Sequence, residues 1–401
     1  PMIKIGIAEK INQVYVKTGD AYSLSNSDGV QLLKGMPLEL LSFISTADGI
    51  TVSDRQGRII LTSSRPLVLR YESPAAATAV FDLEDGSGYF FAGNETRMYR
   101  GYLHVVPYIE GITLINELNL EEYLYSAVPS EMPSAWPEEA LKAQAVAART
   151  YTFANLGRYA SRGFDLYGSI TSASYKGAGN EAIRTRKAVD STRGQILTVN
   201  GKPINAVYSA NSGGYTESSE SVWGFASSLK GIPDSPDTER SSSLAPYELA
   251  GWILSEPESY SGDLRFASRS AYRWSLWVSR EELETRLGMG DKLGRILSIT
   301  TRGRGVSGRV NAVLIRGSRG DYAVKGDKIR SVLGGLKSNL FMVVPKIGQE
   351  GLPEFFIFAG AGWGHGVGMS QSGAAGMAAA GFAYTEILKR YYPGTELNTL
   401  Y

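Results

Sequence analysis

The 401-residue sequence contains no cysteine and two histidines, His104 and His365. The absence of cysteine excludes disulfide bonds, thiolate-ligated zinc and thiol catalysis. With two histidines and no HExxH motif, a histidine-rich metal centre cannot be built either. We therefore expect no bound metal and no cofactor. His104 falls in a predicted strand, where a hydrogen-bonded structural histidine is the simpler interpretation.

The sequence also lacks a charge excess. Lys and Arg total 41 against 40 Asp and Glu, which gives a formal net charge of +1. Proteins that bind a nucleic-acid backbone usually carry a basic excess or a basic stripe. We therefore expect no nucleic acid as a partner, and a neutral or lightly charged polysaccharide fits better.

No apolar run of about 18 residues is present, so the sequence shows no membrane span. No signal peptide is visible either. Pro1 precedes Met2, which is typical of a trimmed start, so an upstream signal or membrane anchor could have been removed.

A chain of this length is expected to form two or three units, at roughly 150 residues per domain. Its 46 Gly and 23 Tyr, among many short apolar runs, indicate a β-rich fold. We predict an α+β protein with a mixed, largely antiparallel β-sheet core, a few helices and a small N-terminal all-β domain at residues 1–95. Residues 96–401 would form the second domain, with an inserted segment at about 226–300. Pro74 to Ala79 would form a link or a bend.

Local signals place several elements in the second domain. Glu110-Gly111 and Asn200-Gly201 lie between apolar runs and predict two hairpins, since Asn-Gly is the strongest local hairpin signal. A helix should begin after its cap, Asn119, and end at Pro129. The Ala-rich helix over 137–156 should follow, with Pro137 in its first turn.

Three later helices are predicted from periodicity and caps. They are expected near Ser279–Leu287, from Ser370 to Ala380, and from Thr385, as its cap, to Tyr392.

The first candidate for chemistry is Glu131, in a predicted elbow between Pro129 and Pro133. Crowding by Met132 and Trp136 would raise the pKa of the carboxyl, as a glycosidic general acid requires. The start of the following helix would act in the opposite direction. A loop carboxylate that caps that helix is the alternative, and local sequence alone favours it.

The second candidate is the helix that carries Gln144, Arg149 and Tyr151. Gln144 and Tyr151 lie two turns apart on one face, and Arg149 points elsewhere. These side chains could orient Glu131 or bind sugar hydroxyls. A structural role is at least as probable for each residue taken alone, because a buried Arg or Gln needs a polar partner.

The third candidate is the run from Gly360 to Met369, where every second residue is glycine. If the run is extended, its glycines line one face, and Trp363 and His365 lie on the other. A glycine face permits close approach of a ligand, and Trp363 could stack on a sugar ring. Tight packing between strands is the alternative.

The segment from Tyr208 to Glu217, which includes Ser212 and Gly213, carries side chains that can bind sugar hydroxyls. An ordinary glycine-rich turn explains the same residues equally well. A serine hydrolase that uses Ser212 or Ser370 with His365 is a competing chemistry. The GxSxG elbow that would support it is absent.

These blocks resemble the stage II sporulation protein D family, which includes the amidase-enhancer proteins. The resemblance rests on NELNLEEYL (116–124), PSEMP (129–133), WPEEALKAQAVAARTY (136–151), SGGYTE (212–217) and GWGHGVGMSQ (362–371), in this order. The final YYPGTEL (391–397) also fits. The resemblance spans about residues 97–225 and 297–401.

The resemblance implies a lytic transglycosylase that cleaves peptidoglycan glycan strands between MurNAc and GlcNAc, preferably strands stripped of stem peptides by a partner amidase. In the family, the glutamate of the PSEMP block is the single acid–base, here Glu131, and the product carries a 1,6-anhydro ring. The residues expected to bind substrate are Gln144, Arg149, Tyr151, Tyr208, Ser212, Gly213, Trp363, His365 and Gln371.

Some family members hold zinc with His and Cys residues in the region that corresponds to Leu166–Gly177. This sequence has neither residue type there, so we predict no structural zinc. The expected location is extracytoplasmic, in the cell envelope. The rival function is a non-catalytic glycan-binding envelope protein that stimulates an amidase. The β domain at 1–95 is a third candidate, as a wall- or partner-binding module.

Overall fold

The computed structural model describes residues 1–73, 75–85, 93–169, 172, 174–225, 228–236 and 244–401. The chain forms two compact units, one of residues 1–135, 148–195 and 401, and one of residues 136–147 and 196–400. Helices and mostly antiparallel sheets occur together, which confirms the predicted α+β class.

The first unit is rich in strands before its first helix. These strands are β1 (Met2–Ile11), β2 (Gln13–Lys17), β3 (Tyr22–Asn26), β4 (Gln31–Gly35), β5 (Leu40–Thr46), β6 (Gly49–Ser53), β7 (Ile59–Ser63), β8 (Leu67–Tyr71), β9 (Ala77–Asp85), β10 (Gly93–Arg100), β11 (Tyr102–Tyr108) and β12 (Gly111–Asn119). They are followed by α1 (Leu120–Glu131), the last part of α2 (Glu138–Ala154), β13 (Leu166–Tyr167) and α3 (Ile183–Ser191). Residues 138–147 of α2 belong to the second unit.

Two sheets organise this unit, in the orders β13-β1-β12-β11-β8-β3-β4 and β10-β9-β2-β5-β6-β7. Successive side chains of a strand point to opposite faces of its sheet, so buried and exposed residues alternate. In β2, Val14 and Val16 are buried and their neighbours are exposed. β1 pairs with β12 from Met2↔Asn119 to Ile11↔Ile112, so strands from both sides of residue 95 share one sheet. The division predicted at that residue stays a prediction. Pro74, where a link was expected, lies outside the described residues.

Both predicted hairpins are confirmed. β11 and β12 pair antiparallel up to Tyr108↔Gly111. The second hairpin turns at Asn200 and Gly201, whose φ angles are 50° and 72°. Two successive positive φ angles suit the right-handed twist of the strands, which is why Asn-Gly is favoured there.

The first helix starts as predicted and ends later than predicted. The Asn119 side chain accepts the N–H of Glu121 at 2.9 Å, so Asn119 is the N-cap. The expectation that Pro129 ends the helix is wrong, because α1 continues to Glu131. Pro133 is the better explanation for its end, since a proline disfavours helical geometry in the residue before it. Met132 is accordingly extended, with φ −136° and ψ 128°.

The second unit alternates short strands and helices. Its elements are β14 (Gln195–Val199), β15 (Lys202–Pro203), β16 (Tyr208–Ser209), α4 (Ser219–Trp223), α5 (Pro246–Leu254), α6 (Arg269–Tyr272), β17 (Arg273–Ser279), α7 (Arg280–Leu287), α8 (Gly290–Leu293), β18 (Ile296–Arg304), β19 (Val310–Gly317), β20 (Asp321–Lys325), α9 (Lys328–Val332), β21 (Phe341–Ile347), β22 (Pro353–Ala361), β23 (Met369–Ser370), α10 (Gln371–Ala379), α11 (Tyr384–Tyr391) and β24 (Glu396–Thr399).

Its sheets have the orders β15-β14-β24, β16-β23, β17-β22-β21 and β18-β19-β20. The last two enclose a core that includes Trp274, Val313, Phe341 and Phe358. The predicted insertion at about 226–300 stays a prediction, and residues 226–227 and 237–243 lie outside the described chain. Its described part supplies β17, which pairs with β22 along its whole length.

The three later helices form near their predicted positions. Ser279 caps α7, and Ser370 caps α10 by accepting the N–H of Gly373. The cap predicted at Thr385 is wrong. α11 begins at Tyr384, and the Glu386 carboxylate accepts the N–H of Ala383 at 2.8 Å.

Candidate functional site

Glu131, in the first unit, is the last residue of α1 and is half-buried. The backbone N–H of Ser174 donates to its Oε1 at 2.9 Å. The helix end beneath it is also tied down, because Asn180 donates to Ser130 Oγ at 2.7 Å and Ser130 donates to the Ser126 carbonyl at 2.8 Å. The carboxyl is therefore presented from a fixed backbone, and not from the elbow predicted between two prolines.

Opposing influences act on the charge of Glu131. The carboxyl end of a helix carries partial negative charge and disfavours a carboxylate there, whereas the Ser174 N–H stabilises one. The Glu131 carboxylate acts electrostatically on two buried tyrosines. Burial raises the pKa of Tyr123 and of Tyr151, and the negative charge of Glu131 raises both further. The phenols stay protonated and can act as hydrogen-bond donors.

Arg149, also in the first unit, is completely buried against Glu121. Its Nε donates to Oε1 at 2.8 Å and its Nη2 to Oε2 at 2.7 Å. The carbonyls of Val189 and Gln195 accept further bonds at 3.2 Å. A guanidinium with no exposed surface offers nothing to a substrate, so this geometry fits the structural alternative and not the expected binding role.

Gln144 and Gln371 lie together in the second unit. Gln371 Nε2 donates to Gln144 Oε1 at 3.3 Å, and the side chains are 6% and 0% exposed, respectively. The two amides join α2 to the start of α10. Burial to this degree again favours a structural role over direct contact with a sugar.

The glycine-rich run does not form the extended strand that was considered as one possibility for it. β22 ends at Ala361, and Gly362, Gly364, Gly366 and Gly368 then have φ angles of 76°, 100°, 77° and 73°. Side chains other than glycine rarely adopt this left-handed geometry. The period of two therefore arises from alternating backbone handedness and not from an extended strand, so the condition for a single glycine face is not met.

The same glycines allow close packing of backbone on backbone. A Cβ on Gly362 would lie 2.7 Å from the Asn211 carbonyl oxygen, and one on Gly213 would lie 2.8 Å from the Gly362 nitrogen. Trp363 and Asn211 exchange two backbone hydrogen bonds, of 2.9 and 3.1 Å. The segment with Ser212 and Gly213 thus lies directly against the glycine run, within the second unit.

Ser212 is fully buried and belongs to a hydroxyl–carboxylate network. Its Oγ donates to Asp234 Oδ2 at 2.5 Å, and Tyr391 donates to Asp234 Oδ1 at 2.6 Å. Burial raises the pKa of Asp234, although its hydrogen bonds oppose this shift. Asp234 was not predicted, because nothing in its Pro-Asp-Ser-Pro context marks a buried carboxylate.

His365 is half-buried and neutral, since burial lowers its pKa to about 4. Its Nδ1 accepts the N–H of Val367 at 3.0 Å, and its ring lies 5.1 Å from that of Trp223. Neither Ser212 nor Ser370 has this ring as a hydrogen-bond partner in the described structure. The serine–histidine pair considered from the sequence is therefore not formed.

Packing against the Arg309 side chain explains why one position of the run, residue 366, is glycine. It is buried, and donates to the carbonyls of Tyr215 at 2.9 Å and Ser212 at 2.8 Å. A Cβ on Gly366 would collide with its guanidinium. Burial lowers the pKa of Arg309 to about 10, with Glu217 opposing the shift.

The most accessible of the predicted binding residues is Trp363, which is 47% exposed. Tyr208 is half-buried.

Among the described residues, no cluster of three or more side chains is suited to bind a metal ion. No helix in the described part of the chain is long and apolar enough to cross a bilayer. In the segment 166–177, where no zinc site was expected, residues 170, 171 and 173 lie outside the described residues.

Comparisons with known proteins cover both groups of residues. Residues 108–199, which include Glu131, match a family model described as Stage II sporulation protein. Residues 258–368, which include Trp363 and His365, match a model described as a domain of unknown function (DUF8618).

Three relatives match most of the chain. The amidase enhancer of Bacillus subtilis is 32% identical over 69% of this chain and 40% of its own length. An uncharacterised protein of Brachyspira hyodysenteriae is 31% identical over 79% of this chain and 76% of its own length. Stage II sporulation protein D of Bacillus amyloliquefaciens is 32% identical over 71% of this chain and 75% of its own length.

The α+β fold and the ordered motif blocks agree with these matches. The chain belongs to the stage II sporulation protein D family, as its motifs predicted. It spans 40% of the amidase enhancer and about three quarters of the other two relatives.

Proposed function

We propose that this protein acts on the cell wall as a lytic transglycosylase that cleaves peptidoglycan glycan strands, with Glu131 as the single acid–base. The observation that carries the proposal is the half-buried Glu131 carboxyl at the end of α1, held by the Ser174 N–H at 2.9 Å. Its position, in the PSEMP block of a stage II sporulation protein D family member, supports the same role.

The reaction needs one group that first gives and then takes a proton. Glu131 protonates the glycosidic oxygen while the bond from that oxygen to C1 of the muramic sugar breaks. The carboxylate then removes the proton of the C6 hydroxyl, whose oxygen forms the new bond to C1. The enzyme returns to its starting protonation state, and no water is consumed. A second carboxylate, which ordinary glycosidases require, is therefore not needed.

The local electrostatics suit both half-reactions. The negative end of α1 favours the neutral acid that the first step needs. The Ser174 N–H stabilises the carboxylate that exists between the two steps. Tyr123 and Tyr151, whose pKa values burial raises, remain neutral beside it.

Substrate recognition is assigned mainly to exposed groups. Trp363, with 47% of its surface accessible, can pack against the apolar face of a sugar. The half-buried Tyr208 and His365 are further candidates. Gln144, Arg149, Ser212 and Gln371 are buried, and we assign them the task of holding the surrounding backbone.

The test is digestion of purified, peptide-stripped glycan by Glu131→Gln, with 1,6-anhydro products detected by mass. The matched control is Glu138→Gln, at an exposed carboxylate in the first turn of α2. We expect Glu131→Gln to bind glycan and release no anhydro ends, and Glu138→Gln to remain active. Undiminished anhydro release by Glu131→Gln would refute the proposed role.

The second candidate is a non-catalytic glycan-binding protein that stimulates a wall amidase. The name of one relative, amidase enhancer, favours it. It requires glycan binding but no proton transfer at Glu131. Co-sedimentation with peptidoglycan, together with a product assay and an amidase assay, separates the two: binding and stimulation without anhydro products would favour the second.

Both candidates imply the same surroundings. We propose an extracytoplasmic location in the cell envelope, with glycan strands as the main partner and a wall amidase as a second one. Fractionation of cells that carry a tagged copy tests this location, and recovery in the cytoplasmic fraction would contradict it.

A further inference from the structure

A pocket of about 390 Å³ lies in the second unit, lined from α6 to β17 on one side and by Gly335–Lys337 on the other. Three cationic side chains, those of Arg269, Arg273 and Lys337, contribute to its lining. No Asp or Glu is among the described residues that line it. The pocket therefore combines concentrated positive charge with room for a small ligand.

Among the residues that the structure describes, no carboxylate accepts a hydrogen bond from Arg273. This half-buried guanidinium donates to four backbone carbonyls, those of Ser255, Gly213, Tyr272 and Trp252, at 2.7 to 3.4 Å, and the Tyr272 side chain is a further hydrogen-bond partner. Carbonyl dipoles satisfy the N–H donors without cancelling the net charge. Burial accordingly lowers the pKa of Arg273. Glu256 acts on Arg273 only through space and is bonded to Arg269, so a bound anion would supply a closer negative charge.

Lys337 links this pocket to the exposed tryptophan. Its Nζ donates to the Ser270 carbonyl at 2.7 Å and lies 4.8 Å from the centroid of the Trp363 ring. The N–H of Gly364 donates to the Lys337 carbonyl at 2.8 Å, which fixes the lysine beside the glycine run. The half-buried Lys337 also has no carboxylate partner among the described residues, whereas the exposed Arg269 is paired with Glu256 at 2.7 Å.

We propose that this pocket binds the anionic group of a saccharide, a carboxylate or a phosphate, with Lys337 as the contacting cation and Trp363 as the surface for the sugar ring. The Lys337 ammonium lies over the Trp363 ring, so the sugar ring packs on the part of the indole that stays exposed while the anion reaches the ammonium. The inference rests on the proposed function only in taking a glycan as the bearer of the anion. All its residues fall within 258–368, the range matched by a domain of unknown function.

Two sources can supply such a group. The lactyl carboxylate of N-acetylmuramic acid is free once the stem peptide is removed. A phosphate would come from a phosphorylated wall saccharide. The carboxylate source would give the protein a chemical reason to prefer peptide-stripped strands, because an amide-linked peptide abolishes that charge.

The experiment compares three monosaccharides by NMR titration of the whole chain: N-acetylmuramic acid, N-acetylglucosamine and N-acetylglucosamine 6-phosphate. The indole N–H signal of Trp363 is the reporter, and Trp363→Phe assigns it among the six tryptophans. We expect an anionic sugar to bind about tenfold more tightly than neutral N-acetylglucosamine, as one charge-assisted contact provides. The preference should shrink as NaCl is raised.

The variants are Lys337→Gln, Lys337→Arg and the matched control Lys346→Gln. Lys346 also lies over an exposed tryptophan, with its Nζ 5.8 Å from the Trp277 ring. We expect Lys337→Gln to lose the preference for anionic sugars, Lys337→Arg to retain it, and Lys346→Gln to leave it unchanged. Whichever anionic sugar, N-acetylmuramic acid or the 6-phosphate, binds more tightly than N-acetylglucosamine shows which source the pocket accepts.

Equal binding of charged and neutral sugars by the unmodified chain would overturn the inference, as would a preference that survives in Lys337→Gln. These readouts involve no turnover, so they are independent of the acid–base role of Glu131. Loss of cleavage in Glu131→Gln with intact sugar discrimination supports both proposals. Cleavage by Glu131→Gln with intact discrimination refutes only the proposed function.

Discussion

Arg149 and Glu121 form a buried, bidentate ion pair within the first unit, with N–O distances of 2.8 and 2.7 Å. They are separated by 28 residues in sequence and join α2 to the first turn of α1. Tyr401 and Gly194 also donate to Glu121 Oε1, at 2.6 and 3.3 Å. The helix that ends at Glu131 is thus anchored at its other end by a charge pair shielded from water.

Arg149→Met is expected to destabilise the protein by about 3–5 kcal/mol, because it leaves a buried carboxylate without its cation. The control is Arg162→Met, which breaks the exposed pair between Arg162 and Glu9 and should cost far less, because water screens an exposed ion pair. Urea unfolding followed by circular dichroism gives both free energies. Similar losses in the two variants would show that Arg149 is not the structural residue that its burial indicates.

Gly366→Ala tests why the run from Gly362 to Gly368 is glycine-rich. Its φ of 77° costs an alanine about 1–2 kcal/mol, and the collision of the new Cβ with Arg309 should add about 1–3 kcal/mol. Gly394→Ala is the matched control, since Gly394 has a φ of 76° and open space around it. Equal destabilisation of the two variants would leave backbone handedness as the sole requirement.

Trp363→Ala is expected to weaken binding to peptide-stripped glycan by roughly 2- to 10-fold, the loss of one aromatic contact. Its effect on stability should be small, because the side chain is 47% exposed. Trp277→Ala, at a tryptophan that is 54% exposed, serves as the control and should bind normally. Co-sedimentation isotherms measure both, and unchanged binding by Trp363→Ala would remove this residue from the binding surface.

His365 should make stability depend on pH in the mildly acidic range. Burial lowers its pKa in the fold to about 4 from an ordinary value of 6.5. The unfolded chain then takes up a proton before the folded one does, so this contribution is complete above pH 6.5 and is lost as the pH falls towards 4. Urea midpoints of wild type and His365→Gln between pH 7 and 5 should converge as pH falls, and parallel curves would contradict the assignment.

Short-range chemistry made much of the fold predictable. Asn200-Gly201 specified a hairpin because both residues tolerate positive φ, and Asn119 and Ser370 specified helix starts through their capping oxygens. These signals depend on neighbours within about four residues along the chain. The α+β class followed from the same local patterns.

The errors have equally specific causes. Pro129 was expected to stop a helix, but a proline in the last turn is tolerated when the structure around it holds that turn, here through Ser130 and Asn180. The alternation of Gly362 to Gly368 left the backbone geometry open, because a period of two arises both in an extended strand and when every second residue is left-handed.

Asp234 and the pocket around Lys337 could not be found from sequence, because each depends on residues brought together by tertiary structure. Asp234 meets Tyr391 across 157 positions, and Lys337 meets Ser270 across 67. The family motifs predicted roles for Glu131 and Trp363, which stay predictions, while burial distinguishes the exposed Trp363 from the buried Arg149 and Gln144.

The chemistry at Glu131 is tested most directly by digesting peptide-free glycan strands in water enriched in heavy oxygen and weighing the products. We predict new ends that lack one water relative to a reducing sugar and carry no heavy oxygen, because the C6 hydroxyl is the nucleophile. Reducing ends labelled with heavy oxygen would contradict this prediction by showing hydrolysis, and the absence of any cleavage would favour the amidase-stimulating role.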